Sequence, residues 1–330
     1  MAGDKACGQA ASAAEIAQEL KSKDDFVLIA HISPDGDTMG STLALLSALE
    51  RMGKSAYATV DGNPPHALAD LPGFSQLVRY KEQLPQARHA IALDCADRAR
   101  MGNCAALFDG AERRYVIDHH VSNVGFGDLN LIEDRAATGE IVLDILDHWG
   151  TALDQDCARA LYVALASDTG GFAYSNTTGS TLRAAARMVE TGIDFPALCD
   201  RMFRLRSAAK SRMVGHVLSS FELALDGQMA SAVLDWDTLV DIQAANTDSD
   251  GVIENLRDIE GVEVAVYIRQ FSSGRYKVSL RSVKKVDVAA LAMAQGGGGH
   301  VRAAGFDWHG EPAEILAWLE SELHHALLHA

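Results

Sequence analysis

Hydrophobic and polar positions alternate along this chain in blocks. Short, wholly apolar runs are followed by longer stretches with helical spacing. Phe-Val-Leu-Ile-Ala-His at 26–31, Ala-Ile-Ala-Leu-Asp at 90–94 and Tyr-Val-Ile-Asp at 115–118 read as strands buried on both faces. Residues 13–21 and Thr38–Arg51 read as helices, the second with Leu43, Leu45, Leu46 and Leu49 on its apolar side. The run 161–168 (LYVALASD) reads better as a helix end than as a strand. This alternation continues to about residue 190 and predicts an α/β domain with a parallel sheet. Residues 61–73 (DGNPPHALADLPG) are a Pro/Gly-rich loop.

The pattern changes after residue 190. Residues 191–225 are mainly helical and read as a connection. Their basic residues Arg201, Arg204, Arg206 and Lys210 fit either a solvated helix face or contacts to a substrate phosphate. From residue 226 the segments 229–235, 262–270 and 276–282 read as strands of a second sheet, with a hairpin turn at 271–275. Residues 287–295 read as a helix running into the glycines 296–299, and Pro312–Leu328 as a closing amphipathic helix. The expected layout is an N-terminal parallel-sheet domain (1–190), a helical linker (191–225) and a smaller mixed α/β domain (226–330), with the active site in the cleft between them.

Chemistry gathers where the apolar runs end. His31-Ile-Ser-Pro-Asp35-Gly-Asp37 follows the first strand, Asp94 closes the second, Asp118-His119-His120 closes the third, and Asp168 ends the helical run. The C-terminal ends of parallel strands share one edge, where ligands bind. Convergence there would make a cage of carboxylates and imidazoles, a donor set suited to divalent metals and large enough for two. Gly36 lets the loop aim both neighbouring carboxylates at one region, and Gly40 and Ser41 are expected at a helix start with anion-attracting N–H groups. Gly170 and Gly171 suit a turn, and Asn176 and Thr177 suit either capping of the next helix or substrate contact.

The net charge of −16 argues against a protein that grips long nucleic acid. The charge is uneven, however: residues 255–305 carry eight Lys/Arg against four acids, which fits a small anionic substrate. Five cysteines (Cys7, Cys95, Cys104, Cys157, Cys199) form no close pair and suggest a reducing, cytoplasmic setting. Cys95 is expected to serve packing. No apolar run reaches the roughly 18 residues of a membrane span, and the N-terminus lacks the features of a signal peptide. His66, His324, His325 and His329 are expected to hold no metal.

Four glycines in a row, Gly296–Gly299, expose N–H groups that can approach an anion. His300, Arg302 and Arg281 lie near this run in sequence or in the second sheet, and Arg281 suits a bidentate phosphate grip. Arg257 either reaches the same place or forms a surface ion pair.

The set HISPDGDTMGS, ALD, DHH and ALASDTGGF, with SLRS at 279–282 and GGGGHVRAAG at 296–305, resembles the four motifs of DHH phosphoesterases and the DHH-associated C-terminal domain. The likeness runs from about residue 24 to 310 and is strongest to the two-domain nanoRNase/pAp phosphatase subgroup. That resemblance implies hydrolysis of short single-stranded RNA or dinucleotides and dephosphorylation of pAp. It implies two Mn²⁺ ions, with Mg²⁺ or another divalent cation as alternatives. His31, Asp35 and Asp94 would hold one, and Asp37, Asp94, His119 and Asp168 the other, with Asp94 bridging. Two such cations activate a water for in-line attack on phosphorus. His120 would contact the scissile phosphate, with Asp118 behind it orienting an imidazole. Gly297, Gly298, Gly299, His300, Arg281, Arg302 and Arg257 would bind substrate. Alternative readings are a cyclic or linear dinucleotide phosphodiesterase, a RecJ-like exonuclease, an inorganic pyrophosphatase and a nucleotide-binding sensor without catalysis. The oligomeric state stays open, with a homodimer as one candidate.

Overall fold

A computed structural model describes residues 8–65, 68–81, 83–243, 249 and 251–328. Cys7, His66 and His329 lie outside the described residues. The chain divides into two compact units, Met1–Leu205 and Arg206–Ala330. The division falls inside the span expected as a helical connection.

The first unit is built on a seven-stranded parallel sheet. Its strands are β1 (Gln9–Ala10), β2 (Phe26–Ala30), β3 (Ala56–Val60), β4 (Val78–Arg79), β5 (His89–Leu93), β6 (Arg113–Asp118) and β7 (Leu129–Ile132). Their spatial order is β1-β7-β6-β5-β2-β3-β4. From β2 the chain winds outward one way through β3 and β4, then returns to β5 and winds the other way through β6 and β7. The reversal leaves a switch point between β2 and β5, where open α/β sheets bind ligands.

Successive strand residues point to opposite faces, and both faces are covered. Phe26, Leu28, Ile91, Leu93, Tyr115 and Ile117 join the core formed with helices Ala13–Ser22, Gly36–Arg51, Thr138–Trp149 and Gln155–Asp168. Val27, Ile29, Ala90, Ala92 and Val116 pack on the other side with Met101, Cys104, Leu107 and Phe108. This two-sided burial is why the strands read as unbroken apolar runs.

Helices Gly36–Arg51 and Gln155–Asp168 approach closely because small residues face each other. A Cβ on Gly40 would lie 2.2 Å from the Ala160 carbonyl oxygen, and one on Gly36 would lie 2.5 Å from Ser167 Cβ. The pairing of Gly36 with Ser167 and Gly40 with Ala160 makes the helices antiparallel. Asp37, at the start of one, therefore meets Asp168, at the end of the other. This corrects the expectation for Gly40 and Ser41. The helix starts at Gly36, so neither residue offers a free helix-start N–H; Gly40 is a contact, and the Ser41 hydroxyl donates to Asp37 Oδ1 at 2.9 Å.

The second unit carries a mixed six-stranded sheet ordered β12-β13-β11-β10-β9-β8. Its strands are β8 (Glu222–Ala224), β9 (Met229–Leu234), β10 (Val264–Ser272), β11 (Arg275–Ser282), β12 (Gly298–His300) and β13 (Ala303–His309). One face packs Val264, Val266, Val278, Leu280 and Phe306 against helices Val288–Ala294 and Pro312–Leu328. The other packs Ala230, Ala232, Ala265 and Tyr267 with Met213, Val217 and Leu256. Among the described residues no helix is long and apolar enough to cross a membrane.

Candidate metal and phosphate site

The four motifs meet at the carboxyl edge of the first sheet. His31 follows β2, Asp35 caps helix Gly36–Arg51, and Asp37 sits in its first turn. Asp94 follows β5, Asp118 ends β6 ahead of His119 and His120, and Asp168 ends helix Gln155–Asp168. Three groupings have their donor atoms within 4.8 Å of one another. Asp94, His119 and His120 form one; the other two, His31 with Asp35 and Asp94 and Asp37 with His119 and Asp168, each bring together one nitrogen and two carboxylate oxygens.

Asp94 lies between them. Its Oδ2 faces His31 Nε2 at 3.7 Å, while its Oδ1 faces His119 Nε2 at 3.5 Å. The Thr38 hydroxyl donates to Oδ2 at 2.5 Å and the Thr138 hydroxyl to Oδ1 at 3.1 Å, so both oxygens are fixed. The backbone of Asp94 is left-handed (φ 56°), which turns its side chain back over the switch point. Asp37 is held by the start of another helix: the N–H groups of Thr138 and Gly139 donate to its two oxygens at 2.6 and 2.9 Å.

The donor set fits divalent cations. His119 Nε2 is buried without a hydrogen-bond partner, and it points at Asp168 (3.2 Å), Asp94 (3.5 Å) and Asp37 (3.8 Å). Its Nδ1 lies 3.1 Å from the Arg135 carbonyl oxygen. That carbonyl holds the proton on Nδ1 and leaves the Nε2 lone pair open, the arrangement of a metal-ligating histidine. At His31 the Ser33 N–H (3.2 Å) and the Arg100 guanidinium (3.3 Å) face Nδ1 and favour the opposite tautomer, so a cation at Nε2 requires them to yield.

Electrostatics point the same way. Burial, with the Asp168 charge adding to it, pushes the Asp37 carboxyl up to about 8. Burial and the charges of Asp37 and Asp35 hold Asp94 well above the usual carboxylate range. Burial opposes the charged form of His119, but the Asp168 carboxylate 3.2 Å away and the charges of Asp37 and Asp94 carry it up to about 10. Buried carboxylates this close are costly without positive charge among them. Without a cation the cluster holds protons in its place.

His120 is different. Its Nδ1–H donates to Asp118 Oδ1 at 2.8 Å, which raises its basicity and spends the nitrogen nearest Asp94. Asp118 is fully buried, yet hydrogen bonds from His120 and Asn123 outweigh burial and keep its carboxyl below the usual range. Asn123 Nδ2 donates to Asp118 Oδ2 at 2.6 Å and to the Cys95 carbonyl at 3.0 Å. Cys95 itself is fully buried.

Sequence reasoning missed Thr38, Thr138, Asn123 and Arg100. Thr38 and Asn123 lie within five residues of a motif acid and were within reach; Thr138 and Arg100 carry no local signal. Asn176 does not cap the following helix, which Thr178 caps; its Nδ2 ties the carbonyls of Asp168 and Ala136 together at 3.0 and 3.1 Å.

In the second unit, Arg281 of β11 pairs in register with Ala303 of β13, which pairs with His300 of β12. Arg281 Nε donates to Glu254 Oε1 at 3.1 Å, and Arg302 donates to the Val286 carbonyl at 2.8 Å. Arg257 pairs with Asp258 at 2.7 Å. The glycine run is not an open loop. Gly298, Gly299 and His300 form an edge strand, and Cβ atoms on Gly297 and Gly299 would come within 2.3 and 2.5 Å of β13 backbone oxygens. Close strand approach therefore accounts for those two glycines. Arg201 and Arg204 pair with Asp70 and Asp200.

Comparison with known proteins agrees with this architecture. Residues 25–165 match the DHH family N-terminal domain and residues 227–323 the DHHA1 domain. The chain is 35% identical over 292 residues to the bifunctional oligoribonuclease and PAP phosphatase NrnA of Thermus thermophilus, covering 88% of this chain and 86% of that protein. It is 25% identical to the protein of the same name from Bacillus subtilis, over 93% and 97% of the two chains. The crystal structure of an exopolyphosphatase-related protein from Bacteroides fragilis superposes with a TM-score of 0.87 at 24% identity, covering 96% and 98% of the two chains, and so shares the fold.

Proposed function

Since the chain belongs to the DHH family and carries its DHHA1 domain, we propose that it is a metal-dependent phosphohydrolase of short RNA oligonucleotides that also dephosphorylates pAp. One observation carries the two-metal part of this reading: the oxygens of a single buried carboxylate, Asp94, face two different imidazoles, each with its own further carboxylates. His31, Asp35 and Asp94 would hold one cation and Asp37, Asp94, His119 and Asp168 the other, with Mn²⁺ as our choice of metal. When bound, two such ions supply charge neutralisation at the phosphoryl oxygens and a deprotonated water as nucleophile.

The remaining chemistry belongs to the protein. His120, whose basicity Asp118 raises, donates in its protonated form to a phosphoryl oxygen or to the departing oxygen. Asp118 is a positioning residue, and Asn123 fixes it in turn. Arg281, Arg302, Arg257, His300 and Gly297–Gly299 bind the substrate away from the cut. Arg281 first has to exchange its Glu254 partner for phosphate. The free cysteines among the described residues, three of them buried, suit a cytoplasmic enzyme.

The test is phosphate release from pAp beside cleavage of a 5′-labelled RNA dinucleotide, with Mn²⁺ and after chelation. Metal-dependent turnover of both supports the reading. Turnover of the dinucleotide alone restricts it to oligonucleotides. Turnover of neither, with metal bound, refutes it.

A further inference from the structure

Asp168 is followed by a backbone that few sequences can adopt. Gly170, Gly171 and Phe172 are all left-handed, with φ of 56°, 68° and 70°. Phe172 is a bulky residue in that region, a costly conformation that persists only when its surroundings hold it. Here the Thr169 hydroxyl accepts the Phe172 N–H at 3.0 Å, and the Phe172 ring packs on Tyr162 at 5.8 Å between centroids. The Thr169 carbonyl accepts the N–H groups of Ala173 and Tyr174, both at 2.9 Å. The turn is thus fixed from several sides.

What it fixes is an aromatic surface. The Tyr174 ring lies directly over Gly170, where a Cβ would be 2.4–2.7 Å from three of its atoms. The Phe203 ring lies over Gly171, 3.4 Å from where a Cβ would be. Both rings face solvent, Tyr174 at 55% and Phe203 at 47% relative exposure. Aromatic residues make up only 6% of this chain. Among the described residues just four aromatic side chains are counted as exposed: Tyr174, Phe195, Phe203 and Trp236. Two of the four thus cover consecutive glycines, the first only two residues, or about 7 Å of chain, from Asp168.

Resting on the reading of this site as one that cuts nucleotides, we infer that Tyr174 and Phe203 form a stacking platform for the nucleobase next to the scissile phosphate, at the site to which Asp168 belongs. Exposed flat rings beside a phosphate site are what unpaired bases require, since every base has a π-face and stacking is tolerant of sequence. A pre-fixed platform loses little entropy on binding. Both glycines then have a function beyond turning the chain: a side chain at Gly170 would displace the Tyr174 ring. The platform predicts weak base preference at this position, with purines favoured over pyrimidines for their larger stacking area.

The test uses the full-length protein, with Tyr174→Ala and Phe203→Ala beside the ring-preserving Tyr174→Phe and Phe203→Tyr. One probe is an RNA dinucleotide carrying 2-aminopurine, whose fluorescence falls on stacking; the other is the same dinucleotide with one base replaced by an abasic ribose. The alanine variants should weaken binding and kcat/KM for the base-bearing probe by roughly 5- to 150-fold, mainly through KM. They should leave the abasic probe near wild type, and the ring-preserving variants should retain most affinity. Alanine variants that treat both probes as wild type does, or lose equally on both, overturn the proposal. Quenching by wild type without cleavage would keep the platform and refute the hydrolase reading. Cleavage of both probes at equal efficiency by wild type would refute the platform and keep the hydrolase.

Discussion

Asp118→Asn is the sharpest single test of how the site is wired, because the substitution keeps shape and removes only charge and one acceptor. In the native protein Asp118 Oδ1 accepts three N–H groups: His119 N (2.9 Å), His120 N (3.3 Å) and His120 Nδ1 (2.8 Å). Its Oδ2 accepts Asn123 Nδ2 at 2.6 Å. An asparagine at 118 has one oxygen for these two sides. With that oxygen toward the histidines, its NH₂ meets the Asn123 NH₂. Asn123 does not relieve this by flipping, because its Nδ2 also serves the Cys95 carbonyl and its Oδ1 accepts the Gly125 N–H at 2.8 Å. One buried donor therefore goes unpaired, a cost of about 1–3 kcal/mol, or about 2–4 °C in Tm per kcal/mol for a unit of this size.

The catalytic consequence has a sign. The hydrogen bond to Asp118 raises the His120 pKa, so the protonated form persists above the ordinary imidazole range. Losing the anion lowers it. The alkaline limb of kcat/KM for the RNA dinucleotide should then move to lower pH, a shift that solvent moderates because the His120 side chain is 40% exposed. Activity at alkaline pH should fall by about 10- to 100-fold, with the acid limb unmoved. The assay is a pH–rate profile at saturating Mn²⁺, with thermal denaturation of the same samples. An alkaline limb that stays in place, with Tm unchanged, would mean that His120 is not the proton donor or that Asp118 does not govern it.

Three further outcomes follow from the same geometry. Asp94→Asn should reduce turnover by at least ~10³-fold and lower metal content per chain as read by atomic emission; unchanged hydrolysis refutes the shared-carboxylate assignment. Metal loading at pH 7 should expel about one proton or more, because Asp37 (about 8), Asp94 and His119 (about 10) hold protons that a cation must displace. Calorimetry in buffers of different ionisation enthalpy reads that release, and affinity should weaken as pH falls; affinity independent of pH between 6 and 8 contradicts it. Asp128 accepts Arg114 Nη2 (2.6 Å), Nε (3.1 Å) and backbone N–H (2.9 Å), which holds its carboxyl below the usual range. Its stabilisation is present above the unfolded value of about 3.9 and is lost as pH falls through the lower folded value. Asp128→Asn should therefore cost about 1–2 kcal/mol in urea melts at pH 7, and progressively less as pH falls below the unfolded carboxylate value.

The site's acids were legible because the sheet restricts where they can act. A buried parallel strand leaves polar residues only at its ends, so an Asp or His closing an apolar run stands out. Asp168 was legible for the complementary reason, as a charge ending a helix otherwise buried from Cys157 to Ala166 apart from its polar edge. The donors that hold these acids were not legible. Asp37 is fixed by the backbone N–H groups of Thr138 and Gly139, and any sequence supplies such groups wherever a helix starts. Their arrival beside Asp37 depends on helix packing across a hundred residues. The glycine run was only partly legible for a related reason: β13 lies close against Gly297 and Gly299, and composition alone does not show that packing.

Asp94 shows how far one residue type can be constrained from two directions. Its position needs a short carboxylate, so that each oxygen reaches a different imidazole, and a left-handed backbone, so that the strand end turns back over the switch point. Asp and Asn tolerate that backbone best among residues with a side chain. Asn keeps the conformation and loses the second anionic oxygen. Glu keeps the charge but extends by a methylene into space already filled by Thr38 and Thr138, which bond to both oxygens. Gly satisfies the backbone alone. The chemistry and the chain geometry therefore select the same residue independently, and an activity that survived Asp94→Glu would show that neither the reach of the carboxylate nor the left-handed backbone restricts this position to Asp.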